Sequence, residues 1–96
     1  MELTSKQRAK LRSIAQTEDT IAQFGKDELS PAQIDMIDKA LEKREIVKCS
    51  CLETSPYTAR ELMDILAEKT NSTPVTAIGR KFVLYRPNKK KPQIKL

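Results

Sequence analysis

The sequence predicts an α/β fold, a small two-layer sandwich with the order α-β-α-β-α-β-β and a mixed four-stranded sheet. Two observations predict it. Three segments carry apolar residues at the spacing of a helix, and four short segments have the length and composition of strands. Strands separated by helices favour parallel crossovers, whereas the last two, joined by a tight turn, favour an antiparallel hairpin. The 96 residues are predicted to form a single domain, 1–96.

The first helix is predicted to begin after Thr4. Thr4 and Gln7 fit a capping box, in which each side chain accepts a hydrogen bond from the backbone N–H of the other residue. The cations of this segment lie mainly off the apolar stripe, so they form either a solvated helix face or a surface that meets phosphates. The apolar stripe consists of Leu11, Ile14 and Ala15.

The first strand and the second helix come next. Residues 20–24 are a strand candidate, and the turn 25–29 leads to Ser30. Ser30, Pro31 and Gln33 predict a helix start, because they supply a cap, a proline in the first turn and a capping-box partner. The buried stripe of this helix is Ile34, Ile37 and Leu41.

The second strand and the third helix follow. Residues 46–52 alternate between apolar and polar side chains, which predicts a strand with one buried face. Ser55 and Pro56 are predicted to begin the third helix, which ends around residues 69–71.

The last two strands are predicted at 75–78 and 82–86. The residues between them are too few for a helix, so a tight turn joins the two strands. Phe82 to Tyr85 form a continuous apolar run, which is typical of a strand covered on both faces. Residues 88–96 form a basic tail that we expect to be flexible.

The two cysteines are predicted to be small buried apolar residues. On a strand, Cys49 and Cys51 point to the same face about 6.5–7 Å apart, which is a poor geometry for a disulfide. The chain has no histidine and no further cysteine to complete a zinc site, so no metal site is expected.

The basic charge lies at the two ends of the chain. The net charge is +5; residues 1–16 hold four cations and one acid, residues 80–96 hold seven cations and no acid, and residues 17–79 are acidic overall. If the two ends meet in space they form one positive face, which predicts a polyanion as partner.

The sequence does not predict an enzyme. Without histidine the usual general base near neutral pH is missing, and no phosphate-loop or dinucleotide motif is present. We therefore expect no catalytic residue, no cofactor and no small-molecule substrate. No apolar run approaches the length of a membrane span, and no signal peptide is visible, so the expected location is the cytoplasm.

Three blocks of sequence carry a family resemblance. They are Leu3-Thr4-Ser5-Lys6-Gln7-Arg8 with Leu11-Arg12, then Gln23-Phe24-Gly25-Lys26, then Ile78-Gly79-Arg80-Lys81-Phe82-Val83-Leu84-Tyr85-Arg86-Pro87. In this order and spacing they resemble the CRM-domain family, and more narrowly the bacterial YhbY-type RNA-binding proteins. The resemblance covers nearly the whole chain. It implies a fold like the C-terminal domain of bacterial translation initiation factor 3, RNA binding, and association with precursors of the large ribosomal subunit.

The resemblance also draws attention to the turn after the first strand. In the family this turn is a Gly-x-x-Gly loop, similar to the loop with which KH domains clamp backbone nucleotides. Gly25 and Lys26 match its first two positions, but Glu28 stands where the second glycine is expected. A Cβ and a carboxylate there would hinder backbone contact and repel phosphate. We therefore expect Glu28→Gly to strengthen RNA binding and Lys26→Ala to weaken it.

The main hypothesis is a non-catalytic protein that binds ribosomal RNA in large-subunit precursors during ribosome assembly. Two alternatives stay open: a module that docks on a ribosomal or assembly protein through its acidic middle, and a duplex DNA binder. Tyr85 could stack on a base, but its place in a buried run favours the core. Both basic ends are expected on the same side of the sheet as Lys26. The expected RNA-binding residues are Lys6, Arg8, Lys10, Arg12, Gly25, Lys26, Arg80, Lys81, Arg86, Lys89, Lys90 and Lys91.

Overall fold

The predicted fold class and element order are confirmed. The structure, a computed structural model, describes residues 2–27 and 29–96. The elements in chain order are α1 (Ser5–Gln16), β1 (Thr20–Phe24), α2 (Pro31–Arg44), β2 (Ile46–Cys51), α3 (Ala59–Thr70), β3 (Thr73–Ile78) and β4 (Lys81–Tyr85).

The four strands form one mixed sheet in the order β1-β2-β4-β3. β1 pairs with β2 in parallel, and β4 is antiparallel to both β2 and β3. β1, β2 and β3 therefore all point the same way. Their last residues and the start of β4 lie at one end of the sheet, which we call the carboxyl end. The opposite end, where β4 finishes, is the amino end.

The helices lie on both faces of the sheet. Phe82 and Leu84 of β4 pack into one cluster with α2 and α3, whereas Val83 and Tyr85 pack into a second cluster with α1. Successive strand residues point to opposite faces, so the continuous apolar run of β4 is buried on both. α1 thus adds a third layer to the two-layer sandwich that the sequence predicts.

The predicted helix starts at Thr4 and Ser30 are confirmed. The Gln7 backbone N–H donates to Thr4 Oγ1 over 3.1 Å, and the Thr4 backbone N–H donates to Gln7 Oε1 over 3.0 Å. The same reciprocal pair joins Ser30 and Gln33, with Pro31 in the first turn. These caps satisfy N–H groups that a helix leaves without a partner.

The predicted start of the third helix is wrong. α3 begins at Ala59, because Thr58 and Glu61 form its capping box. Ser55 has no Glu or Gln three positions later; its backbone N–H instead donates to the carbonyl of Leu52 over 3.0 Å in a turn. Hydrogen bonding to the backbone N–H, and then to the side chain, of Thr58 holds the pKa of Glu61 below its usual range.

Both cysteines are free and buried, as predicted. Burial raises the pKa of the Cys49 thiol to about 12, so this thiol stays protonated and unreactive near neutral pH. Over the residues that the structure describes, no group of three or more Cys, Asp or Glu side chains could hold a metal ion. None of the helices described is long and apolar enough to cross a membrane.

Candidate nucleic-acid interface

The predicted binding residues outside α1 fall at two ends of the sheet. Gly25 and Lys26 follow β1, and Arg80 and Lys81 form the turn into β4, so all four lie at the carboxyl end. Because β4 is antiparallel to its neighbours, the chain after it leaves from the amino end. The expectation that both basic ends lie on one side with Lys26 is therefore wrong. The residues at the amino end are Arg86, Lys89, Lys90 and Lys91.

At the carboxyl end, β2 lies between the two basic turns. The Leu52 N–H donates to the carbonyl of Phe24 over 2.8 Å, and the Cys51 N–H donates to the carbonyl of Arg80 over 2.7 Å. Neighbouring strands are about 4.8 Å apart, so the turns that carry Lys26 and Arg80 are separated by roughly 10 Å. The exposed cations of the two turns are thus close enough to contact one polyanion.

Gly25 is not a glycine that the fold requires. A Cβ built on it would lie 3.6 Å from Leu52 Cδ1 and 4.0 Å from Thr54 Oγ1, which is ordinary contact. Its backbone is not in the left-handed region, unlike that of Gly79, whose φ of 61° suits the β3–β4 turn. Since the protein itself leaves room for a side chain at Gly25, the space is available for close approach by a ligand.

The loop after β1 starts from a fixed position. Phe24 is buried, and its ring lies 6.1 Å from the ring of Phe82, centroid to centroid. α2 begins beyond the loop at the same end of the sheet, and the positive end of its dipole favours an anion there. Glu28 lies outside the described residues, so the effect expected of its carboxylate stays a prediction.

A groove opens near the carboxyl end, between α1 and the face of the sheet that packs against α1. It has a volume of about 530 Å³ and is lined by three cations, Arg12, Lys48 and Lys81, which we call the groove cations. Arg12 and Lys81 belong to the predicted set. Lys48 was missed, because in the sequence it is only a polar residue of an alternating strand; its location in the groove depends on the pairing of β2 with β4.

Arg8 is committed to the fold. Its guanidinium donates to the carbonyl of Pro74 over 2.9 Å and to that of Val75, and the side chain is half-buried. These bonds tie α1 to the first residues of β3. We therefore remove Arg8 from the expected phosphate contacts.

Arg86 is committed in the same way. Its guanidinium donates to Asp38 Oδ1 over 2.7 Å, to the Asp38 carbonyl over 2.8 Å and to the Thr70 carbonyl over 2.6 Å. A weaker contact at 3.2 Å joins it to Glu42, and only 16% of the side chain is exposed. Arg86 therefore joins α2 and α3 to the end of β4. Like Arg8, it is not counted among the expected phosphate contacts.

The remaining predicted cations stay accessible. Arg80 pairs with Glu53 at 3.7 Å, but both side chains are exposed, so the pair is easily exchanged for a phosphate. Lys10 donates to the carbonyl of Lys95, and Lys6 is exposed on α1.

The tail is attached to the body of the protein by Glu45. This carboxylate is 1% exposed and accepts backbone N–H bonds from Asn88, Gln93 and Ile94 at 2.6, 2.6 and 2.9 Å. The side chain of Ile94 packs against the α1 cluster. The flexibility expected of residues 88–96 stays a prediction, and movement of the tail would have to break these three hydrogen bonds. No local pattern points to Glu45, because its donors are more than 40 positions away.

Tyr85 belongs to the core, as its position in the sequence favours. Only 2% of the residue is exposed, and it packs with α1. Burial, and then the negative charge of Glu45, raise the pKa of Tyr85. Base stacking by this ring is excluded in the folded protein.

The family model of the CRS1 / YhbY (CRM) domain matches residues 3–86. The chain belongs to this family. The resemblance noted in the three sequence blocks is thus confirmed.

Three relatives of this CRM domain carry names that mention RNA. The Probable RNA-binding protein YqeI of Bacillus subtilis is 36% identical over 94 residues, covering 98% of each chain. An RNA-binding protein of Haemophilus influenzae is 26% identical over 86 residues, covering 90% of this chain and 87% of the relative. The solution structure of a hypothetical Staphylococcus aureus protein, proposed to bind RNA, has a TM-score of 0.80 at 39% identity and covers 99% of both chains.

Proposed function

We propose that this CRM domain is a non-catalytic RNA-binding protein of the cytoplasm, and that it binds ribosomal RNA in large-subunit precursors during ribosome assembly. One observation carries the proposal. Cations from three separate stretches of sequence come together at the carboxyl end of the sheet and the adjoining α1 face. They are Arg12 from α1, Lys26 from the loop after β1, and Arg80 and Lys81 from the β3–β4 turn.

The chemistry of this surface suits a phosphate backbone. Exposed lysine and arginine side chains neutralise phosphates and release counterions, which supplies affinity without reading sequence. Gly25 leaves room for the backbone of RNA beside Lys26. No chemical step is part of the proposal, since a chain without histidine lacks the usual proton acceptor near neutral pH.

The proposal predicts a salt-dependent affinity for large-subunit precursor RNA. Contact with six phosphates of single-stranded RNA gives a log–log slope of about −4. A fluorescence titration measures this slope between about 50 and 300 mM KCl. This is roughly the range of salt over which such contacts are lost. An affinity that does not change with salt would refute an electrostatic RNA contact.

Lys26→Ala is expected to weaken this binding about three- to tenfold, because it removes one phosphate contact beside Gly25. Lys43→Ala is the matched control, since Lys43 is an exposed lysine in the last turn of α2, away from the carboxyl end. Equal affinity of the two variants would show that the loop after β1 does not contact RNA.

Two further experiments test the alternatives, a protein-docking module and a duplex DNA binder. If partners recovered from cells survive nuclease treatment, the protein docks on another protein and the RNA proposal fails. If duplex DNA competes with the RNA at equal salt and concentration, the surface recognises only charge. Crosslinking in cells and sequencing of the bound RNA identifies the ribosomal site.

A further inference from the structure

The groove between α1 and the sheet has the size and lining of a nucleotide site. Its volume of about 530 Å³ lies within the roughly 300–1,000 Å³ usual for ligand pockets. Ala9 and Val83 contribute apolar surface, and the three groove cations surround it. Apolar surface beside fixed cations matches a ligand that has one flat, weakly polar part and one anionic part.

Lys48 is the unusual member of this lining. It lies in the central strand β2, half-buried, on the face that packs against α1. It pairs across the sheet with Val83, which makes Lys81 its diagonal neighbour at a spacing of roughly 7–8 Å. Among the ion pairs formed within residues 2–27 and 29–96, none involves a groove cation.

Three unneutralised cations around one groove repel one another, and an anion bound between them removes that cost. Arg8 and Arg86 show the contrast, because Arg8 donates to backbone carbonyls of this chain and Arg86 donates to both carbonyl and carboxylate oxygens. The groove cations, in contrast, remain available to a ligand.

Ile78 adds an exposed apolar side chain to the groove. It is the last residue of β3, it lines the same groove, and it is 69% exposed. An isolated exposed isoleucine would be ordinary on a protein surface. Here it stands beside Lys81 at the open side of the groove, where an apolar side chain can pack against the face of a base.

We propose that this groove binds one nucleotide of single-stranded RNA, with a phosphate between the groove cations and the base against Ile78 and Val83. The inference rests on the proposed RNA binding and adds a site to the loop at Gly25. Single-stranded RNA is favoured over a duplex because a paired base is stacked inside its helix and cannot enter a groove of this size. An RNA chain could run along the carboxyl end from Lys26 to the groove.

The test uses the full chain and two probes, a single-stranded uridine hexamer and uridine 5′-monophosphate. NMR titration of the wild type should shift the backbone amides of Ala9, Ser13 and Thr76 on addition of the hexamer. The monophosphate should shift the same amides with an affinity at least about tenfold lower, because it lacks the neighbouring phosphates.

Two variants separate the phosphate and base contacts. Lys48→Gln should weaken hexamer binding about three- to tenfold and reduce the salt slope by about 0.7, the value for one phosphate contact. Ile78→Ser should weaken binding by about threefold and leave the salt slope unchanged, because no charge is lost. Ile78 is exposed, so its replacement leaves the fold intact. Lys43→Gln is the control for loss of one charge.

The possible results distinguish failure of the nucleotide groove from failure of the proposed RNA binding. Absence of hexamer binding by the wild type would refute both. Hexamer binding that Lys48→Gln and Ile78→Ser leave equal to that of Lys43→Gln would refute the groove alone. Equal affinities for the monophosphate and the hexamer would make a free nucleotide the ligand and refute the RNA assignment.

Discussion

The guanidinium of Arg86 joins three elements through one planar group. Arg86 directly follows β4, and its guanidinium reaches α2 at Asp38 and α3 at the Thr70 carbonyl. Arginine can do this because its donors point in fixed directions within one plane, which a lysine ammonium cannot reproduce. Removal of the side chain would leave acceptors in a half-buried site without their charged donor.

Arg86→Met is therefore expected to lower the free energy of unfolding by about 2 kcal/mol, measured by urea denaturation. Arg12→Met, which removes an exposed charge of α1, should lower it by less than about 0.5 kcal/mol. RNA affinity should show the reverse order, with Arg12→Met the weaker binder. A stable Arg86→Met protein that has lost RNA binding would return Arg86 to the interface.

Tyr85 gives the structure a pH dependence in alkali. Its pKa is raised in the folded protein, so between the unfolded value near 10 and the higher folded value the native state keeps a proton that the unfolded state loses. The contribution of Tyr85 to the free energy of unfolding is therefore fully present below about pH 10, and it falls as the pH rises toward the folded pKa. Urea midpoints measured from pH 8 to 11, at about half-unit steps, should fall more steeply for the wild type than for Tyr85→Phe. Parallel curves would contradict the assignment.

Local sequence signals predicted most of the helices and strands. The capping boxes at Thr4 and Ser30 are short-range patterns, and they marked two helix starts correctly. Ser55 and Pro56 misled because a proline after a serine also begins a turn, and only the glutamate three residues after Thr58 distinguishes the true cap. The apolar run of β4 indicated a strand covered on both faces, but not which helix covers which face.

Glu45 controls the position of the tail as an element. It ends α2 with a φ of 66°, an uncommon conformation for a residue with a side chain, and its buried carboxylate accepts three backbone N–H groups of the tail. Glu45→Gln replaces one acceptor oxygen by an NH₂ group, which cannot accept from an N–H. The tail should therefore become mobile while the sheet stays intact.

Amide hydrogen exchange measures this directly. In Glu45→Gln the amides of Asn88, Gln93 and Ile94 should exchange at least about tenfold faster, in line with loss of about 1.4 kcal/mol of local protection. Glu68→Gln, an exposed position of α3, is the matched control. Unchanged protection at these three amides would show that Glu45 does not hold the tail.

In the whole molecule, the strand order separates the basic residues of the C-terminal tail from those at the carboxyl end of the sheet. Composition showed that both ends of the chain are basic, but it could not show that β4 inserts between β2 and β3 in the opposite direction. That direction sends Lys89, Lys90 and Lys91 to the amino end. The same pairing places Lys48 beside Lys81, so the missed residue and the misplaced tail have one cause: long-range pairing that no local pattern encodes.

We propose that location, rather than net charge, makes the carboxyl end of the sheet the RNA-binding surface. Two triple variants test it because they remove the same charge: Lys26→Gln with Arg80→Gln and Lys81→Gln at the carboxyl end, and Lys89→Gln with Lys90→Gln and Lys91→Gln at the amino end. The measurement is the affinity of each for large-subunit precursor RNA as a function of salt. The first should bind at least about tenfold more weakly than the wild type, with a salt slope smaller by about 2, and the second less than about threefold more weakly. Equal losses of affinity, or a larger loss from the tail variant, would show that the carboxyl end is not the RNA-binding surface.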